Sequence, residues 1–366
     1  MSLAIVGLGT SVPAATLSQD EAMRVARALC CRTLEHASWL PTMYGGTGID
    51  NRYISLGRDL VRDLLDGTTH SGSVFLPKEN IPDDRGPTTA QRMVLYAEGA
   101  GPLAFASSRQ ALANAKLQPQ EITHLVTVSC TGFYAPGVDH VLIDGLPLKP
   151  TVQRTHVGFM GCHGAINGLR VAAAFVGADP KAKVLLCAVE MSCLHYHFGW
   201  DPQKIVANAL FGDGAAAVVG VAGAKQPWRV TATGSCVLPD SAKAMSWTIG
   251  DHGFEMTLSK QVPALIAKHL RPWMQNWLAE SGLKIEDVKS WALHPGGPRV
   301  LSAVEETLEL TPASTAVSRE IFGTCGNMSS PTVLFILDKL RARNQPRPAV
   351  ALAFGPGLVA EAALIV

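Results

Sequence analysis

A cysteine, a histidine and an asparagine, each in a stretch flanked by glycine or proline, carry most of the chemical potential of this chain. Cys162 lies in Gly158-Phe159-Met160-Gly161-Cys162-His163-Gly164-Ala165-Ile166-Asn167-Gly168-Leu169, which reads as a short loop turning into a helix. A thiol at a helix N-terminus feels the positive end of the macrodipole, so its pKa is expected below the free value of about 8.5. His294 follows the apolar run Trp291-Ala292-Leu293 and precedes Pro295-Gly296-Gly297-Pro298. That puts an imidazole at the carboxyl end of a strand, where open α/β sheets gather their ligands. Asn327, in Gly326-Asn327-Met328-Ser329-Ser330, is expected to open a helix running to about Leu340, as its N-cap or as an amide donor beside His294. If the three meet, the chemistry is nucleophilic: a thiolate attacks, the imidazole raises its fraction, and two donors hold an oxyanion. The plain alternatives are an inert buried thiol, a turn histidine and a helix cap. His195 and His197 have nothing near them to complete a metal set, and they read as structural or pocket-wall residues.

Such groups need a rigid frame. Short runs rich in Val, Ile and Ala alternate with amphipathic stretches, the pattern of α/β layers with buried strands. Strands are expected in the N-terminal stretch Met1 to Gly9, at His124 to Val128, Val184 to Val189, Ala215 to Val221, Val230 to Thr233, Ala349 to Phe354 and Ala362 to Val366. Ser18 and Glu21 have capping-box spacing for a helix through about Leu29. An order of elements recurs: glycine-opened helix, basic-proline linker, strand, glycine turn, strand. It runs once from Gly161 to Val221 and again from Gly326 to Val366. Two stacked copies would set Cys162 and Asn327 at equivalent helix starts facing a shared centre. The expected boundary divides residues 1–224 from 225–366, in the small-residue stretch Gly223 to Pro227. The segment Ala37 to Pro87, rich in Gly, Asp and Pro, reads as a surface excursion.

Bulk properties exclude several classes. The chain has 366 residues, 47% of them hydrophobic and 17% charged, which is ample for a large core. A formal net charge of +1 gives no reason to expect nucleic acid or a membrane surface as partner. Eight cysteines without Cys-x-x-Cys spacing suit a reducing cytosol rather than disulfides or structural zinc. The N-terminus lacks a leader-like pattern, and no apolar run reaches the roughly 18 residues of a membrane helix. The expectation is a soluble cytoplasmic protein.

Five motifs in order resemble one family. They are Gly161-Cys162, Phe211-Gly212-Asp213-Gly214-Ala215-Ala216-Ala217, His294-Pro295-Gly296-Gly297-Pro298, Gly326-Asn327-Met328-Ser329-Ser330 and Phe354-Gly355-Pro356-Gly357. Together they resemble the type III polyketide synthases, the chalcone synthase-like group, in a bacterial form, over the whole length from Ile5. The resemblance implies a thiolase-like α/β fold of two duplicated halves in αβαβα layers, the first carrying the cysteine and the second the histidine and asparagine. It implies a homodimer with no metal, no cofactor beyond coenzyme A thioesters as substrates, and no carrier protein. The implied reaction loads an acyl-CoA starter on Cys162, extends it repeatedly with malonyl-CoA by decarboxylative condensation, and cyclises it to a pyrone, resorcinol or other small aromatic. His294 and Asn327 would stabilise the enolate and the oxyanions.

The same resemblance assigns a substrate cavity. Phe211 matches a gate residue, Ser329 a cavity residue, and Gly355 and Pro356 the loop that shapes the cyclisation pocket. Met256 stands where a second gating phenylalanine is usual, and Trp247 where plant members have a small residue. Cys130 and His195 replace two pocket threonines, Cys130 as a wall residue or a second thiol near the growing chain. Ala135 replaces a methionine that crosses the dimer in plant members. Basic residues for coenzyme A do not align: Thr42 and Gly46 stand at two such positions, leaving Arg52 and Arg299 as substitutes. The alternatives are an initiating ketoacyl-ACP synthase that performs one condensation, and a catalytically silent acyl-CoA binding protein.

Overall fold

A computed structural model describes residues 2–78, 81, 83–223 and 226–366. The expected boundary at 224/225 lies outside these residues. In chain order the strands are β1 (Ser2–Ser11), β2 (Ala15–Ser18), β3 (Asn51–Ile54), β4 (His124–Ser129), β5 (Gln153–Gly158), β6 (Lys183–Met191), β7 (Asp213–Gly223), β8 (Arg229–Val237), β9 (Met245–Gly250), β10 (Gly253–Leu258), β11 (Ser290–Leu293), β12 (Ala349–Gly355) and β13 (Val359–Ile365). Nine of them form one sheet in the order β11-β12-β13-β8-β1-β7-β6-β4-β5.

The duplication is visible in the pairings. From the central antiparallel contact of β1 with β8, the first half runs β1-β7-β6-β4 and the second β8-β13-β12-β11. Each sequence has two antiparallel pairs followed by a parallel one. Strand alternation then builds the layers. Leu185, Cys187 and Val189 of β6 face outward with Ala215, Ala217 and Val219 of β7, under the long helix Thr89–Ala115. Val184, Leu186 and Ala188 face inward, onto the helices Gly164–Ala178 and Pro331–Ala342. Ala349, Ala351 and Ala353 of β12 cover those helices from the other side. Val350, Leu352 and Phe354 turn outward to the helices Val262–Ala279 and Pro298–Leu308. The result is α, β, α, β, α. The alanines toward the centre leave room for two helices between the sheet halves.

The expected strands are present, and the helix Gln19–Cys30 carries the Ser18/Glu21 capping box. Three elements differ from the sequence reading. Residues 37–87 are more than an excursion: they supply most of the helix Leu34–Gly45, the strand β3 paired to β2, and the helix Arg58–Asp66. The polar edge strand β5 and the hairpin β9–β10 gave no strong periodic signal. The helix expected at Asn327 begins only at Pro331, because Gly326 and Ser329 take positive φ, 68° and 58°.

Candidate active site

The Cys162 turn is held by close backbone contact. β5 delivers the chain through Phe159, at φ 58°, and Gly161, at φ 71°, into a single 3-10 turn, Gly161–His163, before the helix begins at Gly164. A Cβ on Gly161 would lie 2.5 Å from Pro356 Cδ, and one on Gly355 would overlap the His163 ring. Glycine is therefore required at both positions, and the loop after β12 is wedged against the cysteine turn.

Cys162 itself is half-buried, with protein packed round it on most sides. Burial pushes its thiol up to about 11. Ser329 acts against this, Glu190 adds to it, and Asn327 also acts against it. The lowered value expected from a helix N-terminus is thus reversed in the empty site: desolvation of the sulfur outweighs the helix, whose first regular turn starts two residues later. A raised thiol pKa means that the thiolate fraction falls as pH drops. Alkylation of Cys162 by iodoacetamide without coenzyme A substrates should therefore rise roughly tenfold per pH unit from 7 to 10. Mass spectrometry of the Cys162 peptide checks this, and a plateau of reactivity below pH 7 would contradict it.

His294 is set by β11 and by its backbone N–H, which donates to Leu352 O on β12 at 2.8 Å. The residue is 2% exposed, and among the described residues neither ring nitrogen meets a protein partner. Burial, and to a lesser degree His163, pushes it down to about 3, so the imidazole is neutral at physiological pH. Asn327 is held by a bridge to Phe211: its N–H donates to Leu210 O at 2.9 Å, and its carbonyl accepts from Gly212 N at 2.9 Å. Its Oδ1 accepts from Ser329 N at 2.7 Å, which identifies the amide oxygen and leaves Nδ2 unpartnered and buried. Leaving a buried polar group unpaired costs about 1–3 kcal/mol. Such groups on both His294 and Asn327 mark a place prepared for a polar ligand.

The walls follow from the same loops. Cys130 Sγ lies 3.3 Å from Ser329 Oγ, and Trp247 Nε1 donates to Cys130 O at 2.7 Å. His195 is a wall residue: Nδ1 accepts from Phe254 N at 2.9 Å, so Nε2 donates to Thr131 O at 2.7 Å. Its ring stacks on Phe254 at 4.2 Å and meets Trp247 edge-on at 5.5 Å. Phe211, Met256, Trp247 and His195 line one pocket, a narrow one with a cavity volume of about 30 Å³. Among the described residues no group of three metal-ligating side chains occurs.

The assignment of Arg52 to coenzyme A is overturned. Arg52 is fully buried, donating to Asn208 O at 2.9 Å, Phe211 O at 3.2 Å, Ala209 O at 2.9 Å and also to Gln19. These carbonyls end the helix Pro202–Leu210 and need donors, so Arg52 anchors the Phe211 turn and is buried away from the surface where a coenzyme A phosphate would bind. Arg299 is exposed in the first turn of the helix Pro298–Leu308 and does not line the pocket. Glu190 was missed. It is fully buried and accepts from Cys130 N at 2.9 Å, Thr131 Oγ1 at 2.6 Å and Ser330 Oγ at 2.5 Å. Its signal was a lone carboxylate ending the apolar run Val184 to Val189.

The sequence profile of the N-terminal domain of chalcone and stilbene synthases matches residues 2–225, and that of their C-terminal domain matches residues 229–366. The chain belongs to the type III polyketide synthases. The alpha-pyrone synthesis polyketide synthase-like Pks18 of Mycobacterium tuberculosis is 34% identical to this polyketide synthase over 289 residues, 76% of the chain and 73% of the relative. The 1,3,6,8-tetrahydroxynaphthalene synthase of Streptomyces peucetius subsp. caesius is 36% identical over 264 residues, 70% of each. Among solved structures, PKS-I of the brown alga Ectocarpus siliculosus superposes with a TM-score of 0.88 at 30% identity, covering 100% of this chain and 98% of that one. The fungal type III polyketide synthase ORAS gives 0.84 at 27% identity, covering 100% and 99%. The fold of this synthase is thus thiolase-like, as expected from its motifs. Among its described residues no helix is long and apolar enough to cross a membrane.

Proposed function

We propose that this type III polyketide synthase loads an acyl group from a coenzyme A thioester onto Cys162, extends it with malonyl-CoA, and cyclises the chain to a pyrone, resorcinol or other small aromatic. The observations that support the reading are two buried groups with unpartnered nitrogens, Asn327, whose side chain acts on the Cys162 thiol, and His294, whose imidazole feels His163 beside Cys162. In loading, the Cys162 sulfur attacks the acyl carbonyl, its proton passes to His294, and coenzyme A leaves as a thiolate that takes up that proton. In extension, malonyl-CoA loses carbon dioxide to give an enolate, whose carbon attacks the Cys162 thioester. The tetrahedral oxyanion collapses by expelling the Cys162 thiolate, and the ketoacyl chain leaves on coenzyme A. His294 and Asn327 Nδ2 donate to the enolate oxygen and to the oxyanion. Neutral donors suit both, because a full positive charge would hold the enolate too firmly to react.

The chain would act as a homodimer on coenzyme A thioesters without carrier protein or metal. The edge strand β5, largely exposed, supports a second copy there. The test is mass spectrometry after incubation with acyl-CoA, together with product analysis from malonyl-CoA and a panel of starters. An acyl adduct on Cys162 and products of two or more condensations are expected. A protein that stays unacylated, or one limited to a single condensation, would refute the reading.

Cavity size sets the product. Trp247, pinned through Cys130 O and packed on Phe254, fills part of the pocket wall, while unbranched Met256 bounds the pocket flexibly. Trp247→Gly is expected to admit bulkier starters and lengthen products by at least one malonyl unit, read by liquid chromatography and mass spectrometry. Met256→Phe should restrict starters in the opposite sense. Unchanged profiles for both variants would remove these residues from the substrate path.

A further inference from the structure

The pocket lined by Trp247 and Met256 carries a set of charges that the chemistry described above does not use. Three consecutive residues of β10, Phe254, Glu255 and Met256, line it, so the strand runs edge-on along the cavity. Glu255 pairs with Lys204 Nζ at 2.8 Å and with Arg85 at 3.3 Å. Lys204 lies on the helix Pro202–Leu210, and Arg85 on the loop before the helix Thr89–Ala115. Among the described residues these two are the arginine and lysine of the pocket lining. The side chains of Lys204, Glu255 and Arg85 are 23%, 31% and 52% exposed, which puts the trio where the pocket meets solvent. Lys204 above all, and Arg85 with it, hold the Glu255 carboxyl below the usual carboxylate range against the effect of burial.

Another part of the lining leads back to the thiol. Trp247 Nε1 donates to Cys130 O, Cys130 Sγ lies 3.3 Å from Ser329 Oγ, and the Ser329 side chain acts on Cys162. An acyl group that leaves Cys162 past Trp247 therefore heads for the charged trio. The cavity of about 30 Å³ has room at rest for little more than a water molecule. Most of its walls are pinned: His195 by Phe254 N and Thr131 O, Tyr196 by Asn208 O, and Trp247 by Cys130 O. Met256 is the flexible one. Coenzyme A does not suit the trio, since its phosphates need free cations and Glu255 already holds both. An alkyl end pressed against it would strip water from three charges and offer no hydrogen bond in return.

We propose that Glu255, clamped by Lys204 and Arg85, is a specificity-determining residue that closes the outer end of the starter pocket. Acyl groups too short to reach it are accepted, and long alkyl chains are refused. This rests on Cys162 as the acyl acceptor, which wild-type loading by acetyl-CoA tests separately.

The experiment is Cys162 acylation by acetyl-, butyryl-, decanoyl- and sebacoyl-CoA, the last carrying an ω-carboxyl. Mass spectrometry gives each rate relative to acetyl-CoA, and thermal melting confirms folding. Wild type should load decanoyl- and sebacoyl-CoA at least tenfold more slowly than butyryl-CoA. Glu255→Gln leaves Lys204 and Arg85 without their carboxylate, so sebacoyl-CoA should gain at least tenfold over decanoyl-CoA. Lys204→Met combined with Glu255→Leu removes the pair, and decanoyl-CoA should then gain at least tenfold instead. A merely structural role would lower all rates alike. The proposal is overturned if wild type loads decanoyl-CoA as readily as butyryl-CoA, or if both variants keep the wild-type ratios. It is also overturned if Glu255→Gln speeds every coenzyme A thioester but not the same acyl groups on N-acetylcysteamine, because the trio would then face coenzyme A. Should the double variant fail to fold, Glu255→Gln decides alone. A wild type that no acyl-CoA acylates would instead refute the functional reading, and this inference with it.

Discussion

Cys162→Gln will lose acyl loading by at least about 10⁴-fold while still decarboxylating malonyl-CoA. The loss follows from chemistry: a carboxamide is no nucleophile, and no other thiol holds the same turn. Cys130 is the nearest alternative, but it is fully buried, its thiol is raised well above the free value by burial and Glu190, and its sulfur lies against Ser329. Decarboxylation should persist because its stabilising donors belong to other elements. His294 is held by β11 and β12, and Asn327 by its bridge to Phe211. The side-chain amide also presents a carbonyl where the acyl thioester would stand, so the site keeps its shape. Carbon dioxide release and acyl adducts, measured on one folded preparation, separate the two activities. Loss of both would mean that the thiol takes part in decarboxylation and that this division of labour is wrong.

Asn327→Asp should instead impair decarboxylation and condensation together, by at least roughly 10²–10³-fold, or about 3–4 kcal/mol of transition-state stabilisation. The substitution nearly preserves shape, and one carboxylate oxygen can still accept from Ser329 N, as Asn327 Oδ1 does at 2.7 Å. What changes is the other edge, where an unpartnered N–H donor becomes a charged acceptor facing the developing enolate. Loading should suffer less than extension, because only extension must stabilise both an enolate and an oxyanion. The readouts are carbon dioxide release, acyl-enzyme formation and product yield. A variant that extends chains at more than a tenth of the wild-type rate would show that Nδ2 is not the donor.

Much of the frame was legible because its signals are local. Short continuous apolar runs at Val184 to Val189 and Ala349 to Phe354 announced strands, and the repeated order of elements announced two halves. The three chemical groups stood out because Gly161, Pro295 and Gly326 break regular structure beside them. β5 was not legible, since an edge strand with exposed polar residues resembles a loop. Arg52 was misjudged for a related reason. A basic residue near a substrate entrance and one that caps a buried helix end look the same until the carbonyls it meets are known.

Sequence by itself determined the fold class and singled out the three candidate groups, Cys162, His294 and Asn327. Tertiary structure decided their electrostatic state. Cys162 is pushed up and His294 down by atoms drawn from strands and loops hundreds of residues apart, and desolvation is a sum over that packing. The same holds for Glu190 and Glu361, two carboxylates placed on apolar strands. Each acquires meaning from the groups packed around it, and the opposite half of the fold brings one to each, Ser330 to Glu190 and Asn167 to Glu361.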